Sequence, residues 1–309
     1  MAKASKEAYE DVGEHSDRLG MLATSSSLAI AFIPRTLRDF TDHGQRHSEA
    51  IVERLREFFK IVSEYCGSSI NARERFLSYA AAFLHDIGNI KGRTGHAKRS
   101  AAIVKDYAGK YINGLEKDEI KLVCKIVMAH SRSAGSSDPL RGMDKLLLLD
   151  KDQIKLRLLA ALFRLADASD TTSRRAPPII YELFGLNRVN RKSSKRRKTA
   201  RKHWLAHQNI TGLNYDPEKK VIWLMIERLD KAMISLCNLC DELNTVAVVL
   251  KRDMPKPFPC LKIRLIWSKD NRDNREFARR FDAVAFRCKV LERNPRISIS
   301  RQCPVLRSR

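Results

Sequence analysis

The sequence predicts a mostly α-helical protein that carries a small α+β part towards its C-terminal end. Between residues 38 and 187, apolar residues recur at helical spacing behind recognisable helix starts. Beyond residue 207, short β-branched and aromatic runs flank one long apolar helix. A chain of 309 residues is long enough for one large domain or two smaller ones.

Five helices are predicted in the first of these parts. Asp42 with Gln45, and Asn71 with Glu74, have the spacing of capping boxes, in which side chains three positions apart satisfy free backbone N–H groups. Apolar residues on one helical face follow each start: Ile51, Leu55, Phe58, Phe59 and Val62 after the first, and Leu77, Ala81 and Leu84 after the second. Gly88 is the predicted stop of the second helix. The other helices are predicted at about 97–107, 117–130 and 152–170.

The pattern changes after Pro177 and Pro178. Residues 191–202 contain eight basic residues and only one apolar residue, Ala200. Because such a segment offers little to bury, we expect an exposed loop or linker there. Strands are predicted at 209–215, 220–226 and 261–267, with a helix at about 230–250 before the last strand.

This pattern divides the chain into five predicted parts. They are an N-terminal arm, loosely held, at 1–37; a helical domain at 38–187; a basic linker at 188–206; a small α+β subdomain at 207–267; and a basic, disordered tail at 268–309.

Charge and cysteine content indicate the surroundings of the protein. A formal net charge of +23 favours polyanionic partners such as nucleotides, nucleic acid or anionic lipid. Seven cysteines in no regular framework favour reduced thiols and a cytoplasmic protein. Cys237 and Cys240 have CxxC spacing, but they lie in an apolar helical pattern and are assigned to core packing. The apolar stretch 27–33 is too short for a membrane span, which needs about 20 residues, so no membrane partner is expected.

Four segments place His or Asp in otherwise apolar helices: 41–55, 83–89, 127–131 and 162–170. A buried carboxylate is costly unless it is paired or bound to metal. Asp167 lies in an apolar run whose only other charge is Arg164, so it is either the partner of Arg164 or a metal ligand. His85 and Asp86 are adjacent at the end of a predicted buried helix.

His43 and His47 are separated by one helical turn and lie on one face. We expect His47 to be a ligand because it lies deeper in the helix, whereas His43 either binds as well or only borders the site. Two imidazoles and two carboxylates from three helices form a nitrogen and oxygen shell suited to manganese, iron, zinc or a related divalent ion.

The order His47, then His85-Asp86, then Asp167 resembles the H…HD…D signature of the HD superfamily of metal-dependent phosphohydrolases, over residues 38–187. The phrase LFRLADASDTTSRRAP at 162–177 most resembles the HD-CE branch. The resemblance implies an HD-type helical bundle around one or two divalent ions, whether manganese, iron, zinc, nickel or magnesium. It also implies that metal-activated water cleaves a phosphate ester or anhydride of a nucleotide or nucleotide-like substrate, with His85 and Asp86 at the catalytic centre.

His96 and His130 resemble the additional histidines of HD proteins that bind a second metal. The alternatives are that His96 caps its helix and that His130 lies at a helix C-terminus, where the helix dipole favours a partly charged imidazole. Four basic residues that follow the metal-binding segments are predicted to contact substrate phosphates: Lys91, Arg93, Arg174 and Arg175.

Departures from related families narrow the expected activity. Ile87-Gly88-Asn89 follows the HD doublet, so the Lys of HD-GYP cyclic-dinucleotide phosphodiesterases and the acidic pair of guanosine tetraphosphate hydrolases are both missing. No GYP triplet follows His130. Two alternatives stay open. One is a nuclease that holds nucleic acid through 191–202 and the basic tail; the other is a non-catalytic, metal-stabilised module that binds nucleic acid or protein.

Overall fold

The computed structural model describes residues 3–33, 41, 43–131, 138–190, 193–218, 221–256, 260–265 and 298–300. The protein is mostly helical, as predicted. Its longer helices are α1 (Lys3–Asp11), α2 (Ser16–Ile30), α3 (Gln45–Tyr65), α4 (Ala72–Leu84), α5 (His96–Tyr107), α6 (Lys117–Ala129), α7 (Leu156–Ser169), α8 (Pro178–Leu183), α9 (Lys195–Gln208) and α10 (Leu229–Asp253). The strands are β1 (Leu147–Leu149), β2 (Asp152–Ile154), β3 (Ile210–Asp216), β4 (Val221–Ile226), β5 (Cys260–Leu265) and β6 (Ser298–Ser300).

The chain forms two compact units. The first comprises residues 1–38, 42–170 and 245–258, and the second comprises residues 39–41, 171–244 and 259–309. The first unit contains the helical bundle, and the second contains the larger sheet.

Helices α4 and α7 form the centre of the first unit. Nearly every side chain of both helices is buried, including Phe76 and Phe163. A helix that is apolar on all sides is stable only when other helices surround it. The other helices of the unit therefore pack around these two, and the C-terminal ends of α4 and α7 lie inside the protein.

The predicted helices of this unit are confirmed, with small shifts at their ends. The stripe predicted on α3 is buried, and Asn71 and Glu74 form the predicted capping box, with 2.8 Å from the Glu74 N–H to Asn71 Oδ1. Helix α3 begins at Gln45, and Asp42 lies outside the described residues. Residues 152–154, predicted to be helical, form β2, which pairs antiparallel with β1.

Gly88 does not end α4, which stops at Leu84. A Cβ at Gly88 would lie 2.4 Å from the carbonyl oxygen of His96 and 2.6 Å from the backbone nitrogen of Ser100. The Gly88 N–H donates instead to Ser100 Oγ at 2.9 Å. Glycine is therefore required here because the start of α5 packs directly against the turn that follows His85 and Asp86.

The prediction of a loosely held N-terminal arm is wrong for the described residues 3–33. Helix α2 buries Leu19, Leu22, Ser26 and Ile30, which lie close to one face of the helix. Arg18 also forms a hydrogen bond with the fully buried carboxylate of Glu119. Short polar residues such as Ser25 to Ser27 hide this stripe in the sequence, and the burial shows that the segment is part of the bundle.

The prediction of an exposed loop at 191–202 is also wrong, because residues 195–208 form α9. Ser194 caps the helix by accepting a hydrogen bond from the Arg197 N–H at 3.3 Å. The apolar core of this region consists of Ala176, Tyr181, Leu186, Val189, Ala200 and Trp204. Trp204 anchors the helix, and it lies two positions beyond the basic run that suggested a loop.

The larger sheet has the order β3-β4-β5-β6. β3 and β4 are antiparallel, whereas β5 is parallel to both β4 and β6. The predicted order of strand, strand, helix and strand is confirmed in the described residues. Residues 298–300 add the strand β6, so the prediction of a disordered tail is wrong for them; 268–297 and 301–309 lie outside the described residues.

Helix α10 is long and apolar enough to cross a membrane by length and composition alone. The sequence pattern indicated 27–33 alone as a candidate for a membrane span. The core helix of a soluble protein passes the same test, and several α10 side chains are buried in the protein: Leu229, Ala232, Leu236, Leu239, Val246, Val249 and Leu250. In the first unit, Arg157 Nη2 donates to Asp253 Oδ1 at 2.7 Å near the end of this helix.

Replacing Leu22 with alanine tests whether α2 belongs to the bundle. Leu22 is fully buried, so its truncation leaves a cavity and is expected to lower the free energy of unfolding by about 2–5 kcal/mol. Leu28→Ala on the same helix is the matched control, since Leu28 is 71% exposed and its loss is expected to cost less than about 0.5 kcal/mol. Chemical denaturation measures both, and equal effects would contradict the packing of α2.

Candidate metal centre

The functional side chains come from the ends of five helices in the first unit. His43 precedes α3, and His47 lies in the first turn of α3. His85 and Asp86 follow the last residue of α4. This central helix ends inside the protein, so both side chains lie in the interior. The other three candidates lie on the neighbouring helices: His96 begins α5, His130 follows α6, and Asp167 lies in the last turn of α7.

One group of ligands consists of His47, His85 and Asp167, all with a ligand atom within 4.8 Å of the others. The Nε2 atoms of His47 and His85 are 3.3 Å apart. Asp167 Oδ1 lies 3.2 Å from His47 Nε2 and 3.9 Å from His85 Nε2. The structure therefore brings together three of the four residues that were predicted to bind the first metal.

A second group consists of Asp86, His96 and His130. The Nε2 atoms of the two histidines are 2.8 Å apart, and His96 Nε2 lies 3.3 Å from Asp86 Oδ1. All three residues are buried. The additional histidines that the sequence singled out thus lie at the centre. His130 does follow the C-terminal end of α6, but burial lowers its pKa, so the alternative of a partly charged imidazole is wrong.

Asp86 links the two groups. Its Oδ2 atom lies 3.4 Å from His85 Nε2 and 3.8 Å from His47 Nε2, whereas its Oδ1 atom faces His96. His43 Nδ1 donates to Oδ2 at 2.8 Å. One carboxylate therefore presents an oxygen to each group, while His43 fixes its orientation.

Hydrogen bonds on the far side of each ring set the tautomers of four histidines. Nδ1 donates to a backbone or carboxylate oxygen in each case: His47 to Asp170 Oδ2 at 2.6 Å, His85 to the Ala82 carbonyl at 3.0 Å, His96 to the Arg93 carbonyl at 2.9 Å, and His130 to the Val127 carbonyl at 2.5 Å. These oxygens are acceptors, so the proton lies on Nδ1 and the Nε2 lone pair points into the centre. This second shell is typical of metal-binding histidines.

The resulting donor set fits a divalent metal ion. Two Nε2 lone pairs that face each other at 2.8 Å, or at 3.3 Å, repel unless a positive charge lies between them. Imidazole nitrogens and carboxylate oxygens in one pocket are suited to manganese, iron, zinc or nickel. His47, His85, Asp86 and Asp167 would hold one ion, and Asp86, His96 and His130 would hold another.

Burial keeps the imidazoles neutral. It lowers the pKa of His85, and it lowers the pKa values of His96 and His130 to about 4. All three rings are therefore unprotonated near pH 7 and have their Nε2 lone pairs available to a metal.

The carboxylates are ionised. Burial alone would raise the pKa of Asp86, but the neighbouring His85 and His43 bring it well below its usual range. The pKa of Asp167 is likewise lowered against the effect of burial, by the neighbouring His47 and His85 rings. Two negative charges among neutral rings favour a cation in this pocket, because a buried charge without compensation costs several kcal/mol.

Two interactions of the site were not predicted. Asp170 is buried and accepts the hydrogen bond from His47; its position directly after α7 and three residues after Asp167 was the available signal. The alternative pairing of Arg164 with Asp167 is wrong, because Arg164 Nη1 donates to both oxygens of Asp138 at 3.1 Å. Asp138 lies in a different segment, so no local spacing indicated this pair.

The four basic residues predicted to contact phosphates are divided between the two units. Arg93 reaches Asp86 Oδ1 at 3.4 Å, and its side chain is 41% exposed, so it borders the centre. Lys91 is exposed two positions earlier. Arg174 is exposed and Arg175 is buried, and both belong to the second unit. Contact with a substrate stays a prediction for all four.

A helical bundle that gathers His, His-Asp and Asp at the ends of its central helices defines an HD-superfamily domain with a potential metal-binding cluster. The HD-CE family model matches residues 37–228, and the chain belongs to this family. The predicted resemblance is thereby confirmed. A comparison with curated proteins finds no match. Family and cluster together fit an HD-type metal-dependent hydrolase.

Replacing Asp170 with alanine tests the second shell of His47. Without this acceptor the ring loses its fixed orientation, so the affinity for Mn²⁺ is expected to fall about 10- to 100-fold in isothermal titration calorimetry. Asp170→Asn keeps an acceptor oxygen and is expected to lose less. Asp144→Ala is the control, because Asp144 is 52% exposed and pairs with Lys125. Affinity within about twofold of wild type in Asp170→Ala would contradict this role.

Proposed function

We propose that this protein is a metal-dependent phosphohydrolase that cleaves a phosphate ester or anhydride of a nucleotide or nucleotide-like substrate. The observation that carries the proposal is the bridging position of Asp86 between two groups of Nε2 lone pairs. Such an arrangement would hold two cations, and paired cations suit displacement at phosphorus. Membership of the HD-CE family supports the same class of chemistry.

The ions, when bound, lower the pKa of a water molecule and offset negative charge on the phosphoryl oxygens. Other groups of the protein hold the metal-binding side chains in position. His43 donates to Asp86 and holds the shared carboxylate in place. Asp170 and the carbonyls of Ala82 and Val127 keep the lone pairs of His47, His85 and His130 directed inwards.

The exposure of the residues indicates where a substrate would enter. The side chain of Asp167 is 22% exposed and that of Arg93 is 41% exposed, whereas those of His47, His85 and Asp86 are all at most 6% exposed. A phosphate that approaches from this side meets a guanidinium first. Arginine binds two phosphate oxygens at once and favours a fixed orientation of the group.

A nuclease is the second candidate, and the basic helix α9 favours it. A nucleic-acid substrate would be held by several phosphates, so its affinity would fall steeply with salt concentration. The affinity for a small nucleotide held at one centre would fall only slightly as the salt concentration rises.

Substitutions at the ligands test the proposed activity. His85→Ala and Asp167→Ala are expected to lower phosphate release at least about 1,000-fold, equivalent to ~4 kcal/mol, because each removes a ligand. Mass spectrometry of bound metal and a panel of nucleotides, cyclic nucleotides and nucleic acids with Mn²⁺ provide the two measurements. Asp118→Ala is the control, since Asp118 is 64% exposed. Full activity in His85→Ala or Asp167→Ala would refute the proposed phosphohydrolase activity. So would a wild-type protein that binds Mn²⁺ but cleaves none of the panel.

Replacing Arg93 with alanine tests phosphate orientation. The expected result is a rise of about tenfold in KM with a smaller change in kcat, because the guanidinium contributes to binding before the reaction. Arg93→Lys is expected to restore part of the loss. Lys98→Ala serves as the control, because Lys98 is exposed on the neighbouring helix α5. An equal rise in KM in both alanine variants would indicate general charge attraction and not a specific contact.

A further inference from the structure

The second unit begins with an unusually basic stretch of chain. Residues 171–210 contain eleven lysines and arginines and a single acidic residue, Glu182. Two of these basic residues, Arg191 and Lys192, lie outside the described residues. Most of the others lie on α9, where the arrangement of the side chains separates a structural face from an exposed face.

The structural face of α9 contains Ala200 and Trp204, which are buried in the apolar core of this unit. Two arginines flank this face and bond to the segment that includes α8. Arg197 Nη2 donates to the Phe184 carbonyl at 2.7 Å, and Arg201 Nε donates to the Tyr181 hydroxyl at 3.2 Å. These two arginines therefore stabilise the fold of the second unit.

The opposite face carries a lysine stripe formed by Lys195, Lys198 and Lys202. Successive residues turn by about 100°, so Lys195 and Lys202 lie within about 20° of each other, and Lys202 lies about 140° from Arg197. Lys195 and Lys202 are exposed. Within the part of the chain that the structure describes, neither of them has an acidic partner.

We propose that this lysine stripe binds the phosphate backbone of nucleic acid. Lys195 and Lys202 are separated by about 10 Å along the helix axis, at 1.5 Å per residue. Each strand of double-stranded DNA presents one negative charge per about 3.4 Å of the duplex axis, so a stretch of this length faces about three phosphates of one strand. Lysines along one helical stripe can follow such a row without reading bases, which makes the binding independent of sequence.

The apolar surface of the unit argues against a membrane as the partner. Ile179 and Leu183 are exposed on α8, but Arg197 and Arg201 show that α8 packs on the structural side of α9. A helix that binds a bilayer needs its apolar and basic residues on adjoining faces, with the apolar face inserted. The lysine stripe points away from α8, so the two features do not form one such surface.

The test is the binding of full-length protein to fluorescent single- and double-stranded 20-mers at several salt concentrations. The triple variant Lys195→Gln, Lys198→Gln and Lys202→Gln is expected to bind at least tenfold more weakly at 0.1 M salt. The slope of log affinity against log salt is expected to fall by about 2–3, since each lost phosphate contact removes about 0.9 on a duplex. The measurement involves no turnover, so its outcome is independent of the proposed hydrolase activity.

The matched control is Lys117→Gln, Lys121→Gln and Lys125→Gln on α6, which removes the same charge from three exposed lysines. It is expected to change affinity less than twofold. The triple variant Lys195→Arg, Lys198→Arg and Lys202→Arg must retain binding, which separates loss of charge from damage to the helix. Equal weakening in both glutamine variants, absence of binding in wild type at 0.1 M salt, or tighter binding to phosphatidylserine vesicles than to either 20-mer would overturn the proposal.

Discussion

The repulsion among the inward-facing Nε2 lone pairs, and between the carboxylates of Asp86 and Asp167, is the constraint on which the candidate site of the first unit depends. Four histidine rings are held with their lone pairs inwards by hydrogen bonds from Nδ1, and Asp86 lies between them. A cation at the centre would stabilise such a cluster. The fold supplies the rigid frame: α4 and α7 are buried on nearly all sides and end at the same place, so the ligands that follow or precede their ends have little freedom to move apart.

Much of this frame could be predicted from the sequence because local patterns encode it. The stripe on α3 and the capping box at Asn71 and Glu74 involve residues within one or two turns of each other, and both are as expected. The failures occurred where a local pattern was misleading. Basic residues at 191–202 predicted a loop. Charge on one face of a helix does not exclude an apolar residue on the other face, and Trp204 anchors α9 in the core.

The candidate site was also predicted only in part from local patterns. His47, His85, Asp86 and Asp167 were chosen because polar groups in apolar helices need partners, and the structure brings them together. The pairing of Arg164 with Asp138 joins two segments whose separation carries no periodic signal. The hydrogen bond between His47 and Asp170 joins α3 to the end of α7, so it becomes visible only once both helices are placed. Contacts of this kind depend on tertiary packing, which a single sequence does not specify.

The buried carboxylate of Glu119 has a consequence for the size of the smallest stable fragment. Arg73 Nε contacts it at 3.3 Å from within the bundle, and Arg18 on α2 supplies its second guanidinium. The family match begins at residue 37, after α2 has ended. A fragment trimmed to that boundary would remove Arg18, halve the positive charge around Glu119 and uncover the apolar surface beneath Leu19 and Leu22. The compact unit that contains Glu119 therefore extends on the N-terminal side beyond the region of family similarity.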